Sequence, residues 1–384
     1  MPLKSKSLII AIEGADPNPV NEEGTMSDIY EKVRERLDMF PQGFPKTASG
    51  VELEILRRLF TPEEGEVMLA LRPSAEPAPV VAARLSRDGE EMGKQLYEMS
   101  KKGLIMRNRT PDGQILYGLA PWIVGIWEFQ LKNLDQEFAK LKEKYTEEGM
   151  IPERRKAKIS GMRTIPVEKE IIGAAEVEPY EKVSEILNAH TRFAVADCIC
   201  RKERKIMGEG CDKLMEACMT FGPAADYYIE NGLGREITRE EAREIILKAE
   251  EQGLVHCSSN QKGAKVFMCN CCGCCCGVLH AVNKLNIPTA MAKSNYYARV
   301  DPDTCTGCES CVDRCQVNAI QVQDGSAKIE KARCIGCGLC VSTCPTESIS
   351  IVHKEKEDLS VIFPDPIALV QAIGKEKGKA FPFE

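Results

Sequence analysis

The chain has 384 residues, a hydrophobic content of 43% and a formal net charge of −7. This length allows two or three domains with sizeable cores, and the composition excludes a disordered chain. The acidic balance argues against a nucleic-acid partner, and no apolar run approaches the roughly 18 residues of a membrane helix. Nineteen cysteines without an export signal indicate metal binding rather than disulfides. We therefore predict a cytoplasmic protein from an anaerobic or low-oxygen setting.

Residues 1–45 are rich in Pro, Gly and Asn and predict a mostly irregular N-terminal arm. One helix, from Ser27 to about Met39, is expected within it. After residue 50 the apolar residues recur with helical spacing. Thr61 followed by Pro62 predicts the start of another helix, because a hydroxyl caps the first turn and proline suits its first position.

Two further helices, over residues 79–85 and 89–102, precede two apolar runs that flank the turn Thr110-Pro111-Asp112-Gly113. A turn of this composition predicts a β-hairpin. Short helices followed by a hairpin resemble a winged-helix domain, to which we assign residues 46–150, including one long helix over 122–150. The resemblance implies DNA binding or protein docking. Residues 51–125 carry ten Lys or Arg against eleven Asp or Glu. DNA readers present a basic face, so we favour docking.

Residues 151–298 form a cysteine-rich segment that we expect to bind metal. A predicted strand leads into Cys198 and Cys200, whose side chains share one face if the strand continues. Cys211 and Cys218 are seven residues apart and share one face if they lie on a helix. Four thiols on two facing surfaces would hold an iron–sulfur cluster. The alternative is that these are buried apolar cysteines.

Six cysteines fall within eight residues between Cys269 and Cys276. Among them Cys269, Cys272 and Cys275 recur at intervals of three residues. Because neighbouring cysteines tend to point apart, we expect one cluster here with spare thiols. Core packing alone is a poor alternative, since thiols at this density stay reduced only when metal holds them. The candidates for the fourth ligand are Cys271, Cys274, Cys276 and Cys257.

The most specific pattern is a segment written twice over residues 299–353. Both copies have the spacing C-x2-C-x2-C-x3-C. Soft thiolates at this spacing suit the irons of a cubane cluster, whereas disulfide frameworks and zinc sites use other spacings. The cysteines are Cys305, Cys308, Cys311 and Cys315 in the first copy and Cys334, Cys337, Cys340 and Cys344 in the second.

This doubled spacing resembles the bacterial two-cluster ferredoxins, in which each run gives three thiolates to its own [4Fe–4S] cluster and the fourth to the other. One departure is Gln316, because the family usually has proline after the first run. The resemblance implies that one cluster is held by Cys305, Cys308, Cys311 and Cys344 and the second by Cys334, Cys337, Cys340 and Cys315.

Residues 354–384 form a charged C-terminal tail that ends in Phe381-Pro382-Phe383-Glu384. Two interpretations stay open for this tail. It is either a frayed end or an anchor that inserts Phe381 and Phe383 into a partner protein.

The segments together predict a multidomain α+β protein with a multi-cluster iron–sulfur electron-transfer function. We expect two [4Fe–4S] clusters in residues 299–353 and one or two more in the middle segment. The protein would be a subunit or redox partner of a larger oxidoreductase, with the clusters supplying the redox chemistry. No residue is predicted to be catalytic. The alternatives are a redox-sensing transcription regulator that uses the winged helix, and an open iron within Cys269–Cys276.

Overall fold

The computed structural model describes residues 28–171 and 177–379. The expectations for Ser27 and for the phenylalanines at 381 and 383 lie outside these residues. Helices make up 43% of the structure and strands 18%, so the predicted mixture of helix and sheet is confirmed. None of the helices in the described ranges combines the length and apolarity that a bilayer span requires.

The N-terminal unit packs helices and one hairpin around a single apolar core. Val33 and Leu37 of its first helix are fully buried there, together with Phe44. The described part of the expected arm therefore belongs to the folded core. The elements are α1 (Ile29–Asp38), α2 (Val51–Leu59), α3 (Pro62–Ala70), β1 (Glu76–Pro77), α4 (Ala78–Arg84), α5 (Gly89–Lys101), β2 (Ile105–Arg109), β3 (Ile115–Leu119), α6 (Gln136–Tyr145) and α7 (Ile151–Lys156).

Local sequence patterns specify two features of this unit. Thr61 caps α3 by accepting a hydrogen bond from the Glu64 N–H, and the Glu64 carboxylate accepts the Thr61 N–H in return. Strands β2 and β3 pair antiparallel across the Pro-Asp-Gly turn, with Arg109 opposite Ile115. Both the helix start and the hairpin are thus confirmed.

The prediction of one long helix over residues 122–150 is wrong. The chain there forms short turns, including a 3₁₀ turn over Glu128–Lys132, before α6 begins. Asp135 starts α6 anew, because its Oδ1 accepts a hydrogen bond from the Phe138 N–H at 2.8 Å. Because the chain forms short turns here, Trp122 and Trp127 both pack into the core. Both side chains are nearly fully buried.

The middle segment is built on a six-stranded sheet with the strand order β4-β8-β9-β6-β5-β7, in which all neighbours are antiparallel. Side chains from one face, such as Val195, Met219 and Met268, pack against helices α9 and α12. The elements are β4 (Met162–Ile165), α8 (Glu168–Ile171), α9 (Val183–Asn188), β5 (Phe193–Asp197), α10 (Ile199–Ile206), β6 (Glu216–Phe221), α11 (Pro223–Glu230), β7 (Arg235–Ile237), α12 (Arg239–Glu251), β8 (Val255–Ser259), β9 (Phe267–Cys271) and α13 (Gly277–Asn283).

Helix α11 joins the N-terminal unit to the middle segment. The Tyr227 hydroxyl lies at the end of α5 and the start of β2, 2.8 Å from the Ser100 carbonyl and 2.9 Å from the Ile105 carbonyl. The buried Arg107 guanidinium of β2 donates to Asn231 and Glu230, each at 2.9 Å. The hairpin is therefore held against the middle segment by buried polar contacts.

The C-terminal part has two antiparallel strand pairs and the helices α14 (Ser310–Arg314) and α15 (Pro366–Glu376). Asp324 and Gly325 both have positive φ, and they form the two-residue turn between β11 and β12. The first and last strands, β10 and β13, pair with Tyr296 opposite His353. The elements are β10 (Tyr296–Val300), α14 (Ser310–Arg314), β11 (Ile320–Gln323), β12 (Ser326–Ile329), β13 (Ile349–His353) and α15 (Pro366–Glu376).

The described part of the C-terminal tail is not frayed. Leu369 and Ile373 of α15 are buried. The Glu376 carboxylate accepts hydrogen bonds from the backbone of residues 158 and 159. Lys379 pairs with Asp38 of α1 at 2.8 Å. The tail therefore packs against both the linker that follows α7 and the N-terminal unit.

The junction at α11 gives a first test. Replacing Tyr227→Phe removes the hydroxyl that lies between the Ser100 and Ile105 carbonyls, so we expect a loss of about 0.5–1.5 kcal/mol in the stability of this junction. Hydrogen exchange of the amides around residues 100–105 should accelerate, and the melting temperature should fall. Tyr297→Phe is the control, because the Tyr297 hydroxyl makes no hydrogen bond among the described residues. Equal effects of the two variants would contradict the assignment of the Tyr227 hydroxyl as a stabilising contact of this junction.

Candidate metal centres

The C-terminal part contains a cavity of about 280 Å³ beside α14. Cys344 of the second copy lines it together with Cys305, Cys308 and Cys311 of the first copy. Cys308 is exposed at its rim, whereas Cys311 is buried. The structure therefore places around one cavity the three-plus-one set of thiols that the resemblance to two-cluster ferredoxins implies.

A second cavity, of about 350 Å³, lies on the other side of α14. Cys334, Cys337 and Cys340 line it with Cys315 of the first copy. The rest of its wall is mostly apolar and includes Val317, Ile320, Ile329, Ile335 and Leu339. Four thiols around an enclosed space fit a cubane cluster, because such a cluster needs soft ligands on four sides.

Hydrogen-bond donors distinguish the exposed cavity from the apolar one. Burial acts to raise the pKa of Cys344, but hydrogen bonds from Ser348 and Thr346 outweigh it and lower that pKa to about 7. Ser348 Oγ lies 3.2 Å from Cys344 Sγ. In the apolar cavity burial dominates and raises the pKa of Cys337 to about 12. The exposed cavity is therefore much better suited to negative charge.

Glycine is required at equivalent positions in the two copies. Gly307 and Gly336 both have positive φ, at 65° and 71°. A Cβ at Gly336 would lie 2.1 Å from the Tyr296 carbonyl oxygen, and one at Gly307 would lie 2.6 Å from that of Gly325. Each loop can therefore pass close to a neighbouring backbone only because no side chain is present.

In the middle segment, the structure divides the cysteines differently from the grouping expected for Cys198, Cys200, Cys211 and Cys218. The strand ends at Asp197, so Cys198 begins helix α10 and Cys200 lies within it. Cys218 lies on strand β6, and Cys211 lies in the loop before that strand. Cys198 and Cys200 therefore share no strand face, because β5 ends at Asp197 and α10 starts at Ile199. Cys211 and Cys218 share no helix face, because neither lies on a helix.

Four of the cysteines form a compact group that we call the loop site, comprising Cys211, Cys272, Cys274 and Cys275. Their Sγ atoms all lie within 4.8 Å of one another. The Cys211 thiol is 3.9 Å from that of Cys272 and 3.7 Å from that of Cys275. The neighbours Cys274 and Cys275 share this site, which the expectation that adjacent cysteines point apart did not allow.

A second group, which we call the inner row, lies on the sheet face opposite α9 and α12. Cys218 packs there against the core of the N-terminal unit, and Cys257 and Cys271 pack against the core of the ferredoxin domain. Cys257, Cys269 and Cys218 are direct partners across β8, β9 and β6, so their side chains project from the same face. Cys271 is two residues beyond Cys269 and shares that face. Its Sγ lies 3.4 Å from that of Cys257.

Further thiols adjoin the inner row. The Cys276 thiol at the start of α13 hydrogen-bonds to that of Cys271, and the Cys198 thiol hydrogen-bonds to that of Cys200. Hydrogen bonds that the Cys269 thiol donates to Cys218 and Cys257, followed by burial, raise the pKa of Cys269 well above its usual value. Metal binding at such thiols must displace protons, so acidification disfavours it.

Sequence reasoning missed how Cys257, Cys271, Cys274 and Cys276 divide between the two groups. The informative pattern was the alternation Cys269-x-Cys271, which places both side chains on one face of a strand. An interval of three residues places side chains on opposite faces of a strand, because strand side chains alternate with period two. Cys272 and Cys275 do share a site, but Cys269 does not join them there.

The comparisons agree with the class that these cavities define, an iron–sulfur protein of the electron-transfer kind. Residues 298–351 match the family described as the 4Fe-4S dicluster domain. This part of the chain is accordingly a ferredoxin-type 4Fe–4S domain. No curated protein matches the chain.

The polarity of the exposed cavity can be tested through Ser348. The Ser348→Ala substitution removes a hydrogen bond that stabilises negative charge on the Cys344 sulfur. The potential of the cluster at the exposed cavity should therefore fall by roughly 30–60 mV, which corresponds to about 1 kcal/mol for one electron. Redox titration followed by EPR would measure the change. Ser342→Ala is the control, because Ser342 Oγ donates to the Leu339 carbonyl and to no thiol. No shift, or an equal shift in both variants, would contradict the assignment.

Proposed function

We propose that the protein transfers single electrons between a partner protein, which docks at the exposed cavity, and metal centres in the middle segment. The observation that carries this proposal is the pair of four-cysteine cavities, one at the surface and one facing inward. When bound, [4Fe–4S] clusters accept and release one electron at a time. The cysteines at 305, 308, 311 and 344 would hold one cluster, and those at 315, 334, 337 and 340 the other.

The exposed cavity has the features of a docking end. Cys308 and Glu309 at its rim are exposed. Residues 299–353 carry seven Asp or Glu against five Lys or Arg. An acidic surface suits a partner with a basic rim, and such complementarity acts mainly on the association rate.

Two contacts fix the inner end of the domain, on either side of Cys315. The Arg314 guanidinium donates to the Glu250 and Glu251 carbonyls at the end of α12, and thereby caps that helix. The Gly273 N–H donates to Gln316 Oε1 at 2.8 Å. Because Gly273 lies two residues after Cys271, this bond connects the apolar cavity with the inner row through few covalent bonds.

The inner row supports one further iron–sulfur site in the middle segment. It offers four thiols on one sheet face, with Cys198, Cys200 and Cys276 beside them, which is more than a single cubane requires. Cys257 is fully buried and Cys271 nearly so, whereas Cys218 and Cys269 are half-buried. Burial of part of the row suits the retention of an oxygen-labile cluster.

The N-terminal unit fits a docking role better than DNA binding. The end of α5, which would be the recognition helix of a winged-helix domain, is occupied by Tyr227 and Asn231 of the middle segment. Its exposed residues include Glu90, Glu91 and Glu98 beside Lys94 and Lys101. This helix therefore lacks the basic face with which a DNA reader neutralises phosphates.

Loss of Cys308 tests the entry point. Cys308→Ser should abolish rapid reduction of the protein by a small low-potential ferredoxin, used as a protein donor under anaerobic conditions. Stopped-flow absorbance would give the rate, and the iron content should fall. The middle centres should keep their EPR signals after chemical reduction. Ser342→Ala keeps all eight thiols of the domain and should behave as wild type. An unchanged rate in the Cys308 variant would exclude the exposed cavity as the entry point.

The contact at Gly273 tests the route inward. A Cβ at this position would lie 2.3 Å from the Gln316 carbonyl oxygen, so Gly273→Ala must push the two backbones apart. We expect transfer to the middle centres to slow by at least about tenfold, while reduction of the ferredoxin domain keeps its rate. Gly277→Ala is the matched control, because a Cβ there has nothing within 4 Å. Equal rates in both variants would exclude this route.

A further inference from the structure

The four thiols of the loop site are arranged more tightly than those of the ferredoxin domain. All four Sγ atoms lie within 4.8 Å of one another, and three of the pairs measure 3.9, 3.7 and 3.7 Å. By contrast, the ferredoxin thiols line two cavities, and no group of three or more of them lies within 4.8 Å of one another in the described residues. The same chain therefore presents two kinds of four-thiol arrangement, one open and one closed.

The spacing in the loop site matches the size of one metal ion. In a tetrahedral zinc site the Zn–S bonds measure about 2.3 Å, which places the sulfur atoms about 3.8 Å apart. A cubane places one iron at each of four corners and a thiolate outside each iron. Its thiolates must therefore stand farther apart than around a single ion. The distances in the loop site fit the single ion.

A buried cation beside the site lacks a carboxylate partner. Arg201 is fully buried (0% exposed), and its guanidinium donates to the Leu214 and Asn270 carbonyls at 2.8 and 2.6 Å. Arg201 forms no ion pair with a carboxylate of the described residues, and its Nε has no hydrogen-bond partner there. The side chain lies next to Cys272. An uncompensated buried charge is costly, whereas four thiolates around a divalent ion carry a net charge of −2.

We propose that Cys211, Cys272, Cys274 and Cys275 bind a single tetrahedrally coordinated zinc ion, with Arg201 balancing its negative charge. Zinc does not change its oxidation state, so the role of the site is structural. It ties the loop before β6 to the loop between β9 and α13. The second of these loops presents the Gly273 N–H to Gln316, so the ion would hold the docking surface for the ferredoxin domain in place.

The test is metal analysis of anaerobically purified protein, combined with X-ray absorption at the zinc edge. We expect about one zinc per chain, bound by four sulfurs at about 2.3 Å. Cys274→Ser should lower the zinc to near zero and leave the iron content unchanged. Cys274 is exposed, so its substitution by serine does not disturb the core. The absorption measurement on wild-type protein tests the site even if the variant folds poorly.

Cys308→Ser is the matched control, because it also replaces an exposed cysteine of a four-thiol set. It should lose iron and keep the zinc, and failure to lose iron would count against the proposed electron-transfer role but not against the zinc site. Loss of four irons per chain from the Cys274 variant would overturn the single-ion site in favour of a cubane. Loss of one iron per chain from this variant would show that the single ion is iron and would overturn the assignment of zinc. Zinc that is absent from wild-type protein would also overturn the proposal.

Discussion

The alternation of side chains along β9 is the constraint on which the metal chemistry of the middle segment depends. Cys269 and Cys271 project from one face of the strand, toward Cys218 and Cys257 on the neighbouring strands. Cys272 comes after the end of the strand and turns into the loop site instead. Two adjacent residues thus belong to different groups of thiols. The end of the strand therefore divides a run of six cysteines between the inner row and the loop site.

So many thiols also require a positive charge nearby that compensates the negative charge of their thiolates. Arg201 lies between the two groups, because the thiols at 198, 271 and 272 all act on it electrostatically. Burial alone would lower its pKa, but the neighbouring thiolates outweigh burial and raise it. The guanidinium therefore stays charged, and it donates to two carbonyls of the surrounding backbone as well. This one side chain lies beside both groups of thiols. It also connects α10 to the loop before β6 and to β9 through its hydrogen bonds.

The sequence alone was sufficient to predict the features that depend on short-range spacing. The ferredoxin cysteines, the cap at Thr61 and the turn at Asp112-Gly113 are local patterns, and each maps onto one loop or helix end. The break at Asp135 was not foreseen, because the apolar spacing on both sides of it is helical. The pairing of Cys211 with residues more than 60 positions away depends on how α10 and β6 are connected in space. Such contacts have no local signature.

The attachment of the ferredoxin domain also explains a residue that is unusual for its family. Gln316 stands where the related ferredoxins usually have proline, and proline there could not provide the amide group that meets Gly273. The second copy keeps Pro345 at the equivalent position. The difference between the copies therefore corresponds to a difference in their surroundings, since the second copy has no loop site beside it.

The contact between Lys379 and Asp38 brings two distant parts of the sequence together. Lys379, three residues after α15, therefore joins the C-terminal tail directly to α1, in addition to the covalent chain that runs between them. Separating the tail from the N-terminal unit must break this contact as well as the packing along the chain. A single cut of the backbone between these two segments would therefore not by itself release one from the other.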